Sequence, residues 1–117
     1  MKSNNPVQTK SYQFALRIVK LYLFLKSEKR EYELSKQLLR SATSVGANVE
    51  EAIGAQSQKD FIHKLSIAYK EARETQYWLR LLSDSGIIAS QESETLLPEC
   101  EELMKIIGSI LKTMKSK

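Results

Sequence analysis

The fold is decided by residues 57–86, SQKDFIHKLSIAYKEARETQYWLRLLSDSG, in which apolar or small residues recur at alternating intervals of four and three. The recurring positions are Phe61, Leu65, Ala68, Ala72, Thr75, Leu79 and Leu82. A heptad seam of this kind is typical of a helix that packs nearly parallel or antiparallel to its neighbours. Because Ser57 is a predicted N-cap and Gly86 a predicted residue just beyond the C-terminus, we predict one long helix here.

Similar seams mark helices two and four, whereas helix one is densely apolar, with a stripe wide enough for contacts on more than one side. We predict helix one over residues 10–29, helix two over 35–54 with Ser35 as its N-cap, and helix four over 90–114. Pro98 is expected to kink helix four or to delay its regular part. Four long helices with short connections indicate an all-α, antiparallel, up-down-up-down four-helix bundle.

The length and composition of the chain limit what it can be. Its 117 residues suit a single domain, which we assign to residues 10–116 after a flexible leader at 1–9. One cysteine excludes an intrachain disulfide and a multi-cysteine zinc site, and it favours the reducing cytoplasm. No apolar run approaches the roughly 18 residues that span a membrane, so we expect no membrane contact. The net charge of +4 is low for a dedicated nucleic-acid binder.

The residues that could carry catalysis or bind a metal are few. Asp60 and His63 have the spacing of half a carboxylate–histidine pair, but a di-iron bundle needs two such pairs and the chain has one histidine. Cys100 lies on the seam of helix four, which favours burial over reactivity. A glycine-rich phosphate loop and a nucleophile elbow are both lacking. We therefore predict no catalytic residues, no metal site, no cofactor and no enzymatic activity.

Helices two and three carry part-apolar or small-residue faces beside their core seams. Because tryptophan and tyrosine favour the centres of interfaces, we interpret these faces as a subunit interface of a homo-oligomer. An alternative is that Trp78 covers the edge of the monomer core. The predicted interface residues are Ser44, Asn48, Glu51, Ile67, Glu71, Glu74, Trp78 and Leu81.

Another arc of helix three combines cations with an aromatic ring and includes His63. Such an arc can hold phosphates and stack a base, although a face of this kind is often merely solvated. In an oligomer, symmetry would repeat the arc in every protomer, and the positive electrostatic field of the assembly would exceed that of one chain. The predicted nucleic-acid-binding residues are Lys59, Lys70, Arg73, Tyr77 and Arg80.

The block SKQLLRSATSVGANVEEA at residues 35–52 is more specific than a generic heptad. It follows FALRIVKLY at 14–22 and precedes a set of shorter matches, which are DF at 60–61, LSIAYKEA at 65–72, ET at 74–75 and YWL at 77–79. Together these segments resemble the bacterial four-helix-bundle family named for proteins encoded in intervening sequences of 23S ribosomal RNA genes. The accessory variability determinant of diversity-generating retroelements is a relative in that family. The resemblance covers residues 10–114.

This resemblance implies an antiparallel four-helix monomer that assembles into a ring-like homopentamer. For the retroelement accessory protein, it implies a basic barrel that binds a reverse transcriptase and nucleic acid. Five residues match the family signature by position and are interpreted as structural or interface residues: Ser44, Asn48 and Glu51 in helix two, and Glu71 and Glu74 in helix three.

Three functional hypotheses follow from these observations. The first is a non-enzymatic oligomer that acts as a nucleic-acid or ribonucleoprotein accessory protein, with RNA, DNA or a nucleic-acid enzyme such as a reverse transcriptase as its partner. The second is a structural or adaptor oligomer that binds a protein partner and has no nucleic-acid role. Its acidic element would be Glu92, Glu94, Glu99, Glu101 and Glu102. The third, an enzyme with carboxylates in the bundle core, predicts bound metal.

Overall fold

The computed structural model describes residues 5–117 and contains four long helices. Their bounds are α1 Pro6–Glu28, α2 Glu33–Ile53, α3 Gln58–Asp84 and α4 Ser90–Lys115. Within residues 5–117 there is no β-strand, so the described part of the chain is all-α as predicted.

Each helix packs against two others, which is the arrangement of a four-helix bundle. The packed pairs are α1–α2, α2–α3, α3–α4 and α1–α4, of which α2–α3 is the most extensive and α1–α4 the least. The molecule measures 46 × 26 × 22 Å. A 27-residue helix such as α3 is about 40 Å long, so the helices run along the long dimension of the molecule.

The core contains most of the residues that the heptad seams of helices two, three and four predicted, together with apolar residues of α1 and Ile88 before α4. In α3 every seam position is buried except Phe61, which is half-buried. The predicted seam of α2 is buried throughout and consists of Leu38, Ala42, Val45, Val49 and Ala52. The predicted seam of α4 is buried at Leu96, Cys100, Leu103 and Ile107 and half-buried near the end of the helix, at Ile110 and Met114. Burying a leucine or isoleucine side chain contributes roughly 1.5–3 kcal/mol, so these seams account for the packing of the helices.

The first helix begins earlier than the sequence predicts. Residues 6–9, assigned to the flexible leader, form the first turn of α1, and residues 1–4 lie outside the described residues. Asn5 caps this turn because its side-chain oxygen accepts a hydrogen bond of 3.1 Å from the backbone N–H of Gln8. Pro6 suits the first helical position, where no N–H donor is needed, and Val7 is buried in the core.

The predicted N-cap of the second helix is wrong. Glu31, in the loop before α2, caps the helix instead, because its carboxylate accepts backbone N–H bonds from Glu33, Leu34 and Ser35 at 2.8–3.1 Å. Ser35 is buried in the first turn and donates its hydroxyl to the carbonyl of Glu31 at 2.8 Å. A carboxylate is well suited to this place since it also meets the positive end of the helix dipole.

Both predicted ends of α3 are confirmed. The Ser57 hydroxyl accepts a hydrogen bond of 3.0 Å from the backbone N–H of Asp60. At the other end Gly86 has a φ of +79°, its N–H donates to Ser83, and the N–H of Ile87 donates to Leu82. These two bonds are those of a Schellman motif, so the glycine ends the helix and turns the chain towards α4.

The proline in α4 does not delay the helix, which runs as one element through Pro98 from Ser90 onwards.

No helix among the described residues is both long and apolar enough to cross a membrane.

Candidate functional site

The predicted nucleic-acid-binding residues all lie on the outward side of α3. We call them the basic arc: Lys59, Lys70, Arg73, Tyr77 and Arg80. All five are exposed, and the Tyr77 side chain retains 49% of its accessible surface. Lys59 and Arg80 are 21 residues apart, which is about 32 Å along a helix, so the arc can follow several phosphates of a nucleic acid. His63 is exposed on the same helix.

The cations of the basic arc differ from several others in the bundle because they form no ion pair within residues 5–117. Elsewhere Lys10 pairs with Glu102 at 3.4 Å, and Arg17 pairs with Glu99. Arg40 and Lys64 also have carboxylate partners. Lys70 interacts electrostatically with Glu74, but no cation of the arc is engaged in an ion pair among the described residues, so the arc offers largely uncompensated positive charge.

The predicted interface residues of α2 and α3 lie along the contact between these two helices. We call this set the α2–α3 surface: Ser44, Asn48, Glu51, Ile67, Glu71, Glu74, Trp78 and Leu81. Glu51 and Leu81 are exposed and the other six are half-buried. Because α2 and α3 form the most extensive helix pair, residues from two separate stretches of sequence become one continuous surface.

Arg40 joins the two helices at one end of this surface, and sequence reasoning did not identify it. Its guanidinium lies 3.4 Å from the Glu71 carboxylate and also binds Glu74. Glu74 in turn accepts a 3.1 Å hydrogen bond from the indole N–H of Trp78. The side chain of Trp78 is therefore held in place by a charged partner as well as by the core residues beneath it.

The same contacts set the charge of this cluster. The pKa of Glu74 is lowered, first by the hydrogen bond from Trp78 and then by that from Arg40. The pKa of Arg40 is raised, with its hydrogen bond to Glu74 as the largest cause. Glu74 thus remains a carboxylate at neutral pH and acts as an acceptor, which does not suit a general acid.

The remaining polar residues of the α2–α3 surface are paired within the chain. The Asn48 amide donates to the Ser44 carbonyl at 2.9 Å and lies 3.1 Å from the Ser44 hydroxyl, one turn earlier in α2. Lys64 lies 2.8 Å from Glu51 across the helix pair, and this contact lowers the pKa of Glu51 and raises that of Lys64. Of these pairs, only Lys64–Glu51 joins α2 to α3, whereas the Asn48–Ser44 bonds lie within α2.

Tyr77 connects the basic arc with the α2–α3 surface. Its ring meets that of Trp78 edge to face, with centroids 5.0 Å apart and planes at 69°. This geometry is favourable for aromatic rings and restrains Tyr77. A base stacked on Tyr77 would therefore rest on a ring that is already positioned.

The outward side of α1 carries an apolar stripe that sequence analysis did not assign to a site. We call it the α1 ridge: Tyr12, Leu16, Val19 and Leu23. Tyr12 is 64% exposed, Leu16 45% and Leu23 56%, and Val19 is half-buried. The 4-3-4 spacing of the ridge could have identified it from the sequence. A second apolar stripe interleaves with it, however, formed by the core residues Phe14, Ile18, Leu21 and Leu25.

An open groove of about 790 Å³ lies between α1 and the start of α4. Its apolar residues include Leu21, Phe24 and Ile88, and Lys20 and Lys29 are the cations at its edge that have no ion pair among the described residues. The groove coincides with the least extensive helix pair, α1–α4, which explains why space remains there.

Asp60 and His63 were considered for metal binding and Cys100 for nucleophilic chemistry. Within residues 5–117, no group of three or more His, Cys, Asp or Glu side chains could hold a metal ion. Cys100 is buried as predicted, its Sγ donates to the Ala72 carbonyl at 3.4 Å, and burial raises its pKa to about 12. Such a thiol is protonated at neutral pH and is a poor nucleophile.

Comparison with known proteins agrees with this architecture. A crystal structure of a protein of unknown function from the S23 ribosomal protein family, from Bacteroides thetaiotaomicron VPI-5482, superposes with a TM-score of 0.89. The two chains are 51% identical, and the match covers 91% of this chain and 98% of the other. No curated protein matches this chain. The family model described as 23S rRNA-intervening sequence protein matches residues 3–109, and the chain therefore belongs to that family.

Proposed function

We propose that this protein is a non-enzymatic, homo-oligomeric four-helix-bundle protein that binds RNA through the basic arc of α3. The observation that carries the proposal is a group of four exposed cations on one outward face that form no ion pair among the described residues: Lys59, Lys70, Arg73 and Arg80. Exposed cations of this kind neutralise phosphates and release counterions, which is the main source of affinity for nucleic acids.

The proposed monomer is an antiparallel bundle, and contacts between helix ends support this topology. Gln8, near the start of α1, donates to Glu50, near the end of α2, at 3.1 Å. Gln58, at the start of α3, lies 3.5 Å from the carbonyl of Met114, near the end of α4. Neighbouring helices that meet start to end run in opposite directions.

The proposed assembly is the homopentamer that the family resemblance implies. In a cyclic oligomer every protomer presents the same arc, so four cations per chain recur around the ring. A net charge of +4 per chain then becomes a large positive field. The names of the matched family and of the structural neighbour both refer to ribosomal proteins or RNA, which supports RNA as the class of ligand. The lone buried Cys100 is consistent with the cytoplasm as the place of action.

The decisive experiment measures binding of a structured RNA as a function of salt. The test variant is Arg73→Glu with Arg80→Glu, and the matched control is Lys36→Glu with Lys105→Glu, which changes the charge equally at exposed positions outside the arc. We expect the arc variant to lose binding and to lower the salt slope by about one for each phosphate contact removed. The control should keep most of the affinity. Absence of binding at low salt, or equal losses in both variants, would contradict the proposal.

A second candidate function, a protein-binding adaptor, is favoured by the glutamates of the N-terminal half of α4. Glu99 and Glu102 are paired with Arg17 and Lys10, whereas Glu92, Glu94 and Glu101 have no ion pair among the described residues. An adaptor would retain a protein partner after nuclease treatment and lose it in Glu94→Lys with Glu101→Lys. Loss of the partner on nuclease treatment would instead return the function to RNA binding.

A further inference from the structure

Neutralisation of phosphates by the cations of the basic arc assigns no role to Tyr77, the aromatic member of the arc. Half of this side chain is accessible to solvent, although it lies on a face that is otherwise strongly polar. An aromatic ring among exposed cations is an arrangement that binds nucleic-acid bases, because every base has a flat face that stacks on such a ring. The ring of Tyr77 can therefore add base stacking to the phosphate contacts of the arc.

The Tyr77 ring is restrained and still open to a ligand. It meets Trp78 edge to face, with centroids 5.0 Å apart and planes at 69°. A contact of this geometry covers at most one face of the ring, so Trp78 leaves at least one face of Tyr77 free. Trp78 is itself held by the 3.1 Å hydrogen bond from its indole N–H to Glu74, which Arg40 of α2 also binds. Because Tyr77 is already positioned, it loses less side-chain entropy on binding than an unrestrained tyrosine would.

Two arginines bracket Tyr77 on the same face of α3. Arg73 lies four residues before it and Arg80 three residues after it, about 6 and 4.5 Å away along the helix axis. Neither arginine forms an ion pair among residues 5–117. Of the two carboxylates of α3 near this face, Glu74 is engaged by the contacts above, and Asp84 lies one turn beyond Arg80. A nucleotide whose base rests on Tyr77 would thus find a cation on either side for its neighbouring phosphates.

We infer that the basic arc binds unpaired RNA, with one base stacked on Tyr77 and the flanking phosphates held by Arg73 and Arg80. The inference rests on the RNA binding of the proposed function and names the class of RNA that the arc takes. In a duplex the bases stack on one another, and the deep, narrow major groove of A-form RNA does not admit side chains. In loops, bulges and ends, by contrast, bases are free to turn out onto an aromatic ring.

The test compares two RNAs and three variants of the full chain. The RNAs are an unstructured strand that contains one 2-aminopurine and the blunt duplex that this strand forms with its complement. Tyr77→Ala removes the ring, and Tyr77→Phe keeps it. The matched control is Tyr32→Ala, which removes a ring that is 48% exposed, against 49% for Tyr77, but lies outside the arc. Circular dichroism checks that each variant is folded, and Tyr77→Gln replaces Tyr77→Ala if the latter loses helicity.

We expect the wild type to bind the strand more tightly than the duplex at the same salt, although the duplex carries twice the phosphates and electrostatics alone would favour it. Tyr77→Ala should lose about tenfold in affinity for the strand and little for the duplex. Its salt slope should stay that of the wild type, because the ring neutralises no phosphate. Tyr77→Phe and Tyr32→Ala should behave as the wild type does. The fluorescence of 2-aminopurine should be quenched by the wild type and much less by Tyr77→Ala.

The outcomes separate this inference from the proposed function. A Tyr77→Ala variant that binds the strand as tightly as the wild type does would overturn the inference, and so would a wild type that prefers the duplex. Either result would leave RNA binding by the cations of the arc intact. Absence of binding to both RNAs at low salt would refute the proposed function itself.

Discussion

The indole N–H of Trp78 and the guanidinium of Arg40 bind the same carboxylate oxygen of Glu74. Trp78 and Glu74 are one turn apart on α3, whereas Arg40 comes from α2, so this oxygen links a local contact with the packing of two helices. The cluster lies where the α2–α3 surface meets the basic arc, since the Trp78 ring also contacts Tyr77.

The first prediction concerns the pKa of Glu74. Trp78→Phe keeps an aromatic ring but removes the indole N–H, which is the largest cause of the lowered pKa. We therefore expect the pKa of Glu74 to rise towards its ordinary value of 4.5, as measured by NMR titration of the side-chain carboxyl. Tyr77→Phe serves as the control because it leaves the Glu74 contacts in place. An unchanged pKa in Trp78→Phe would show that this hydrogen bond is absent in solution.

The second prediction concerns the acid sensitivity of folding. Because the pKa of Glu74 is lower in the folded than in the unfolded protein, its stabilising effect is complete above 4.5 and declines as the pH falls towards the folded-state pKa. The unfolded chain takes up the proton first in that range. Urea titrations should thus show a smaller loss of stability in acid for Glu74→Gln than for the wild type. Parallel pH profiles for the two proteins would contradict this account.

The helix seams could be predicted from sequence because burial repeats with the period of the helix. The positions from Leu65 to Leu82 are buried as their spacing indicates, and local residues such as Ser57 and Gly86 mark the ends of α3. The start of α2 could not be predicted in this way. Its cap is the carboxylate of Glu31, which reaches the helix only because the preceding loop turns through Arg30 at a φ of 53°.

The candidate surfaces were predictable to a different extent. The basic arc lies on one helix, so its residues share a face by helical geometry alone. The α2–α3 surface combines two helices, and the role of Arg40 depends on which helices are neighbours, which no local pattern encodes. The α1 ridge was hidden because α1 is apolar on two sides, and only the packing reveals which side forms the core.

The third prediction uses Arg30 and Gly86, the two residues with a positive φ within residues 5–117. A Cβ at Gly86 would meet no atom within 4 Å, so Gly86→Ala isolates the backbone cost of a φ of +79°. We expect it to lower the free energy of unfolding by about 1 kcal/mol. Arg30→Gly should act in the opposite direction, by roughly 0.5 kcal/mol, because glycine adopts this conformation readily but loses more entropy on folding. Urea midpoints that move in the same direction for both variants would contradict these assignments.

The fourth prediction concerns the reactivity of Cys100. The thiol is buried beneath α3, donates to the Ala72 carbonyl at 3.4 Å, and has a pKa raised to about 12 by its burial. Since the thiolate is the reactive form, alkylation should require unfolding and should accelerate with urea in step with the loss of helicity. A Ser109→Cys variant provides the control, because its added thiol is exposed on α4 and should react at once in the native protein. Rapid labelling of Cys100 in native wild type would mean that α4 separates from α3 far more often than a packed seam allows.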